Sequence, residues 1–202
     1  MKTNYSIQTE KIINELKQCG KTPTLLLHSC CAPCSSYVLE YLSEVFKITI
    51  FYYNPNISPE EEFIKRTEEQ KRLLKEMILK NKPEFILGTY EPYKFYELSK
   101  GLENCVEGGK RCELCYRLRL EKTAALAKEN KFEYFCSTLS VSPYKNCEKL
   151  NKIGQALEKE YNVKYLPSDF KKKNGYKHSI ELSKKYELYR QNYCGCIFSK
   201  PI

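Results

Sequence analysis

The 202-residue chain predicts an α/β fold built on a doubly wound parallel sheet. Three observations predict it. Short runs rich in Leu, Ile, Val, Phe and Tyr alternate with longer stretches of helical periodicity, the pattern of repeated strand–helix–strand units. No internal repeat, low-complexity segment or linker divides the chain, so residues 1–202 read as one domain. The first apolar run also passes directly into a proline-containing turn suited to a helix start, as loops at the carboxyl edge of a parallel sheet do.

The elements follow in order. A first helix ends at Cys19, before Gly20. Residues 24–28 (TLLLH) form the first strand, and Pro33 suits the first turn of the helix after it. Residues 47–53 form the second strand. A helix over 59–80 opens with Ser58 as cap, Pro59 in the first turn and Glu60, Glu61 and Glu62 beside the positive end of its dipole. Strands at 84–89, 133–137 and 163–166 complete the sheet, with a helix carrying Cys112 and Cys115 between the first two. A helix over 144–161 sets Tyr144, Cys147, Leu150, Ile153, Leu157 and Tyr161 on one face at steps of three or four.

Composition narrows the function. The 11 cysteines are an odd number in a chain longer than most disulfide scaffolds, and the polar start MKTNYSIQTEKIINELK has no apolar signal region. No stretch approaches the roughly 18 apolar residues of a membrane span. A reducing cytoplasm is expected, where clustered thiols bind metal or carry electrons more often than they staple a fold. Thirty-four Lys and Arg against 25 Asp and Glu leave a charge of +9, which permits a polyanionic partner such as RNA.

The cysteines cluster. "HSCCAPCSS", residues 28–36, puts Cys30, Cys31 and Cys34 at the end of the first strand, where helix amides favour thiolate. "GGKRCELCYRLRL", residues 108–120, puts Cys112 and Cys115 on one helix face. Far more residues separate Cys34 from Cys112 than the 15–20 or so of a zinc ribbon, so the two motifs must meet through the tertiary fold. All-thiolate ligation suits zinc or an iron–sulfur cluster, and composition does not separate them. Cys194-Gly195-Cys196 would close a tight, readily reduced ring, which favours a redox couple over a staple. Cys136 and Cys147 read as small buried hydrophobes, Cys105 as a loop thiol, and His28 as a local hydrogen-bonding group rather than a ligand. Tyr52, Tyr53, Asn54 and Pro55 end the second strand at the same sheet edge, where a tyrosine could stack on a base. "KKKNGYKHS", residues 171–179, with Arg111, Arg117 and Arg119, are the candidate RNA contacts.

Taken together, "LLLHSCCAPCSS", "FYYNPNI", "RCELCYRLRL", "TLSVSPYKN" and "YCGC" resemble, in order and rough spacing, the QueH-type epoxyqueuosine reductases, over about residues 24–196. The resemblance implies a fold similar to the adenine nucleotide alpha hydrolase-like (HUP) group. It implies reduction of the epoxide of epoxyqueuosine at the wobble position of tRNA, with electrons from a donor that the sequence does not identify. It implies a [4Fe–4S] cluster on Cys30, Cys31, Cys112 and Cys115, a redox-active pair at Cys194 and Cys196, and, for Arg119, which matches an arginine of the family motif, a role near the site rather than on the RNA surface. For some members it implies a further iron sharing cluster cysteines. The position matching Cys34 can be Asp in those members, and Cys34 stands here as the candidate ligand of that iron, able to act as Lewis acid on the epoxide oxygen. Three other readings compete. An ATP-dependent tRNA thiolation enzyme would need a Gly- and Ser-rich phosphate loop where CCAPCSS stands. A zinc-stabilised RNA-binding module would use four cysteines without redox chemistry. A thiol–disulfide oxidoreductase would use C-A-P-C alone, and the adjacent Cys30 and the second C-x-x-C argue against it.

Overall fold

The computed structural model describes residues 3–200. Its elements run α1 (Tyr5–Gln18), β1 (Thr24–His28), α2 (Ala32–Leu42), β2 (Lys47–Tyr52), α3 (Glu60–Glu76), β3 (Glu84–Leu87), α4 (Pro92–Ser99), α5 (Lys110–Glu129), β4 (Tyr134–Ser137), α6 (Cys147–Tyr161), β5 (Lys164–Tyr165) and α7 (Gly175–Lys185). The five strands form one sheet in the order β3-β2-β1-β4-β5, and every pairing is parallel. This is the doubly wound α/β sheet expected from the sequence.

The unbroken Leu25-Leu26-Leu27 run has a physical reason. Successive strand residues face opposite sides, so Leu25 and Leu27 join a core with Val38, Leu39, Leu42 and Phe46, while Leu26 joins Phe51, Tyr116, Leu120 and Phe135 on the other face. All three leucines are fully buried. A central parallel strand covered on both faces has no solvent side on which to place polar residues. Chain order reverses at β1: β2 and β3 extend to one side, and β4 and β5 to the other. The crevice beyond the carboxyl ends of β1 and β4 is therefore the switch point where such folds bind ligands.

Two helices differ from expectation. The α3 helix starts at Glu60 with Pro59, not Ser58, at the cap, and no side chain caps it. It stops at Glu76, where Met77 turns extended and buries its side chain in the core. The α6 helix starts at Cys147, where the Asn146 side chain accepts a hydrogen bond from the Lys149 N–H at 3.1 Å. Asn146 thereby supplies the first-turn partner a helix start requires. Tyr144 lies before that cap with 74% of its surface exposed, outside the apolar face. Further along α6, a β-carbon at Gly154 would clash with the buried Tyr165 ring. Gly154→Ala is expected to destabilise the protein by about 1–3 kcal/mol through overpacking, read as a lower urea midpoint. Among the described residues no helix is long and apolar enough to cross a membrane.

Candidate active site and metal centre

Beyond His28 the chain leaves the sheet and Cys31, in extended backbone, caps α2, with Pro33 in its first turn. The sulfurs of Cys30, Cys31 and Cys34 all lie within 4.8 Å of one another, and those of Cys30 and Cys31 are 3.8 Å apart. Sulfurs around one tetrahedral ion, at bonds of about 2.3 Å, stand about 3.8 Å apart. The three therefore have the spacing to hold a metal ion. Their electrostatics agree. Hydrogen bonds from Cys30 and Cys34 hold the Cys31 thiol well below its ordinary range. The same contact pushes Cys30 up to about 11, and the hydrogen bonds to Cys30 and Cys31 push Cys34 well up. A cation bound here would displace the thiol protons.

The surroundings are polar and fixed. Gln70 Oε1 accepts from Ser29 Oγ at 2.7 Å and Ser35 Oγ at 2.8 Å, and Asn54 Nδ2 donates to the Ser29 carbonyl at 2.8 Å. His28 is fully buried. Its Nδ1 lies 2.9 Å from Ser137 Oγ and its Nε2 3.0 Å from the Tyr53 carbonyl. Burial, with Arg119 nearby, pushes the ring down to about 4. Both nitrogens are engaged, so His28 holds the β1, β2 and β4 ends together, the local role read from the sequence. Just after β4, Thr138 Oγ1 accepts from the Cys30 backbone N–H at 3.4 Å and lies 3.6 Å from its sulfur.

The second thiol group comes from α5 and the C-terminal segment. Gly109 opens α5, and the Gly108 N–H donates to Cys112 Sγ at 3.2 Å. Cys112, Cys115, Cys194 and Cys196 line one small cavity of about 20 Å³ with Arg111, Arg119 and Lys145. Burial pushes Cys115 up to about 11 and raises Cys196. Gly195 has φ +104, and a β-carbon there would stand 2.9 Å from Ile57 Cγ1, so only glycine fits the C-x-C turn. The turn is fastened by the Ser58 N–H on the Gly195 carbonyl at 2.9 Å and Arg66 Nη1 on the Cys194 carbonyl at 3.2 Å. All eleven cysteines are free thiols.

Cys30, Cys31, Cys34 and Cys194 line a larger cleft of about 310 Å³ together with Tyr144, Tyr176, Arg190 and Tyr193. Cys194, Glu107, Lys145 and Ser199 line both cavities. The structure thus brings the two distant cysteine motifs to adjoining walls of one site. It does not bring Cys112 and Cys115 into the tight group formed by Cys30, Cys31 and Cys34.

Buried cations accompany the sulfurs. Arg119 is 1% exposed, donates Nε to the Cys115 carbonyl at 3.2 Å, and faces Cys115, Cys194 and Cys30. Its Nη2 has no protein partner, and no carboxylate pairs with it among the described residues. An orphaned guanidinium nitrogen beside thiols fits an anionic thiolate-bound group. Lys145, at the junction of the two cavities, was not singled out by the sequence reading.

Several sequence assignments need correction. Arg111 is buried and cannot face an RNA backbone; it instead ties down the loop before α5 through the Leu102 and Glu103 carbonyls at 2.9 and 2.8 Å, whereas Arg119 lies beside the thiols, where the family motif it matches suggested a role. Arg117 pairs with Glu160 and Glu121. In the basic run, Lys171 pairs with Asp169, Lys173 with Glu10, and His178 with Glu40 and Glu181. Tyr52 and Tyr53 are fully buried and cannot stack on a base; the tyrosines lining the thiol cleft are Tyr144, Tyr176 and Tyr193, of which Tyr144 is exposed. Cys147 is half-buried rather than part of the core, its sulfur donating to Asp169 Oδ2 at 3.4 Å. Cys136 is buried in β4 and Cys19 caps α1, as read.

Comparison with known proteins is consistent across the chain. The family profile described as Epoxyqueuosine reductase QueH matches residues 25–201. A Staphylococcus epidermidis protein named Epoxyqueuosine reductase QueH is 44% identical over 202 residues, covering 98% of this chain and 85% of that protein. Proteins of the same name from Staphylococcus aureus and Thermotoga maritima are 41% and 38% identical, covering 98% and 87% of this chain and 84% and 90% of theirs. The solved structure of NMN synthetase from Francisella tularensis aligns with 96% of this chain and 77% of its own, at TM-score 0.47 and 14% identity.

Proposed function

The chain belongs to the epoxyqueuosine reductase QueH family, and from that membership we propose that it reduces the epoxide of epoxyqueuosine at the tRNA wobble position in the cleft beyond β1 and β4. The observation that supports the site is the convergence of Cys30, Cys31 and Cys34 with Cys194 in one cleft, backed by Cys112, Cys115 and Cys196 behind a shared wall.

Removal of the epoxide oxygen to leave an alkene takes two electrons and two protons and releases water. A [4Fe–4S] cluster on Cys30, Cys31, Cys112 and Cys115, with a further iron on Cys34, would supply one-electron transfer and Lewis acidity there. The chain's own residues do the rest. Arg119 offsets the negative charge that four thiolates gather in a buried place. Cys194 and Cys196 provide a dithiol that can store two electrons and release them, with two protons, on closing to a disulfide. An unidentified one-electron donor reloads the site, and a cytoplasmic setting accords with eleven free thiols.

The cleft volume falls within the roughly 300–1,000 Å³ of small-ligand sites, enough for one nucleoside turned out of an anticodon loop. Tyr144 at the rim offers an open ring face to a neighbouring base. Tyr144→Ala is expected to weaken binding of an anticodon stem–loop RNA about tenfold, with Tyr144→Phe close to wild type. Fluorescence anisotropy measures both, and an unchanged Tyr144→Ala affinity would remove the tyrosine from the interface. The functional test is anaerobic reconstitution, iron and sulfide counts, and turnover on epoxyqueuosine-containing tRNA with a chemical reductant. A second reading, a zinc-stabilised RNA-binding module, is favoured by one observation, the single-ion spacing of Cys30 and Cys31. A colourless zinc-loaded protein from anaerobic, iron-replete expression, inactive on that tRNA, would support it.

A further inference from the structure

Lys145 is the one lysine buried among the described residues. Its side chain is 6% exposed and its Nζ lies 2.6 Å from Oε1 of Glu107, whose side chain is 40% exposed. Both residues line the thiol cleft and the smaller cavity behind it. The backbone holds the lysine in place, with its N–H on the Ser142 carbonyl at 3.2 Å and Asn146 capping α6 directly after it. A buried lysine is costly unless the charge is used, and an apolar side chain of that length would fill the space without it.

We infer that Lys145 is the proton donor to the oxygen leaving the substrate, recharged from solvent through Glu107. The inference rests on the epoxide-reducing reading of this site. Both carbon–oxygen bonds of the epoxide break, a carbon–carbon double bond forms, and two equivalents of a one-electron reductant supply the electron pair. The oxygen takes two protons, each handed over at Lys145 Nζ, and departs as water. The other buried cations at these cavities, Arg111 and Arg119, cannot serve because a guanidinium does not release a proton. Burial pushes the Lys145 ammonium down, but the Cys194 sulfur, Tyr116 and Glu107 outweigh it and hold the group charged. An alkoxide is more basic than an amine, so a charged ammonium still donates to it. Glu107, half open to water and in contact with the ammonium, supplies the return path.

Four variants test this in the reconstituted enzyme. Lys145→Met is expected to slow single-turnover epoxide reduction about 100-fold or more, with iron content and stem–loop affinity at wild-type values. Lys145→Arg keeps the charge but not the transferable proton and is expected to be nearly as slow. Glu107→Gln, at a half-exposed position, is expected to slow steady turnover by about tenfold. Added methylammonium should partly restore a Lys145→Ala variant. Lys145→Arg at wild-type rate would overturn proton donation, and Glu107→Gln at wild-type rate would overturn the relay. A Lys145→Met loss matched by equal loss of iron would assign the residue a structural role instead. Failure of the wild type to reduce the epoxide would overturn the functional reading and the donor assignment with it, whereas an active wild type with equally fast Lys145 variants would overturn the assignment alone.

Discussion

Replacing Cys31 with alanine will leave a folded protein that retains almost no iron and reduces no epoxide. Cys31 is the sulfur on which Cys30 and Cys34 converge, and the one whose thiol lies well below its ordinary range. Removing it leaves Cys30 and Cys34 without the thiolate partner that organises them. The fold has less to lose. The capping of α2 by residue 31 uses its backbone, since no side chain caps that helix, and the Cys31 carbonyl still accepts from the Ser35 N–H. Iron per chain after anaerobic reconstitution should fall close to zero and turnover by about 100-fold or more, while far-UV circular dichroism is unchanged. Cys136→Ala, in β4 and away from both cavities, is the control and should retain its iron. Full iron on Cys31→Ala would mean the cofactor is held elsewhere.

Arg119→Met should have opposite effects on the metal-free and loaded protein. Without metal, Arg119 is a buried cation with an unpartnered nitrogen, and two of the three sulfurs it faces, Cys30 and Cys115, are thiols pushed up to about 11 and neutral at pH 7. Such a charge costs stability, and methionine of similar reach removes the cost. Metal-free Arg119→Met is therefore expected to be about 1–3 kcal/mol more stable, a rise in Tm of several degrees. Once thiolates bind metal, the guanidinium offsets their charge, so the same variant should release iron faster to a chelator. A metal-free variant melting below wild type would show that Arg119 serves packing and not charge.

What the sequence disclosed follows from which contacts are local. Leu25-Leu26-Leu27 announces a central strand because burial on both faces leaves a continuous apolar run, and Cys112 and Cys115 announce a shared helix face because three residues make nearly one turn. That residues 30–34 and 112–115 line adjoining cavities is not written in either segment, since the sheet topology that places them there is not local. Tyr52 and Tyr53 failed as stacking residues because a strand end does not reveal what covers it. Arg119 lies four residues after Cys115, so its direction was readable, but the cavity it shares with the C-terminal Cys194 and Cys196 was not. Lys145 stands within the TLSVSPYKN stretch, but its burial was not readable. Its partner Glu107 lies 38 residues away, and a lysine in a loop otherwise reads as solvated surface.

The most direct measurement is a crystal structure of the anaerobically reconstituted protein with anomalous scattering recorded at the iron edge. The account predicts an iron–sulfide core bonded to the sulfurs of Cys30, Cys31, Cys112 and Cys115 at the junction of the two cavities. A lone metal ion on Cys30, Cys31 and Cys34, with Cys112 and Cys115 left as free thiols in a fully loaded and active sample, would contradict it.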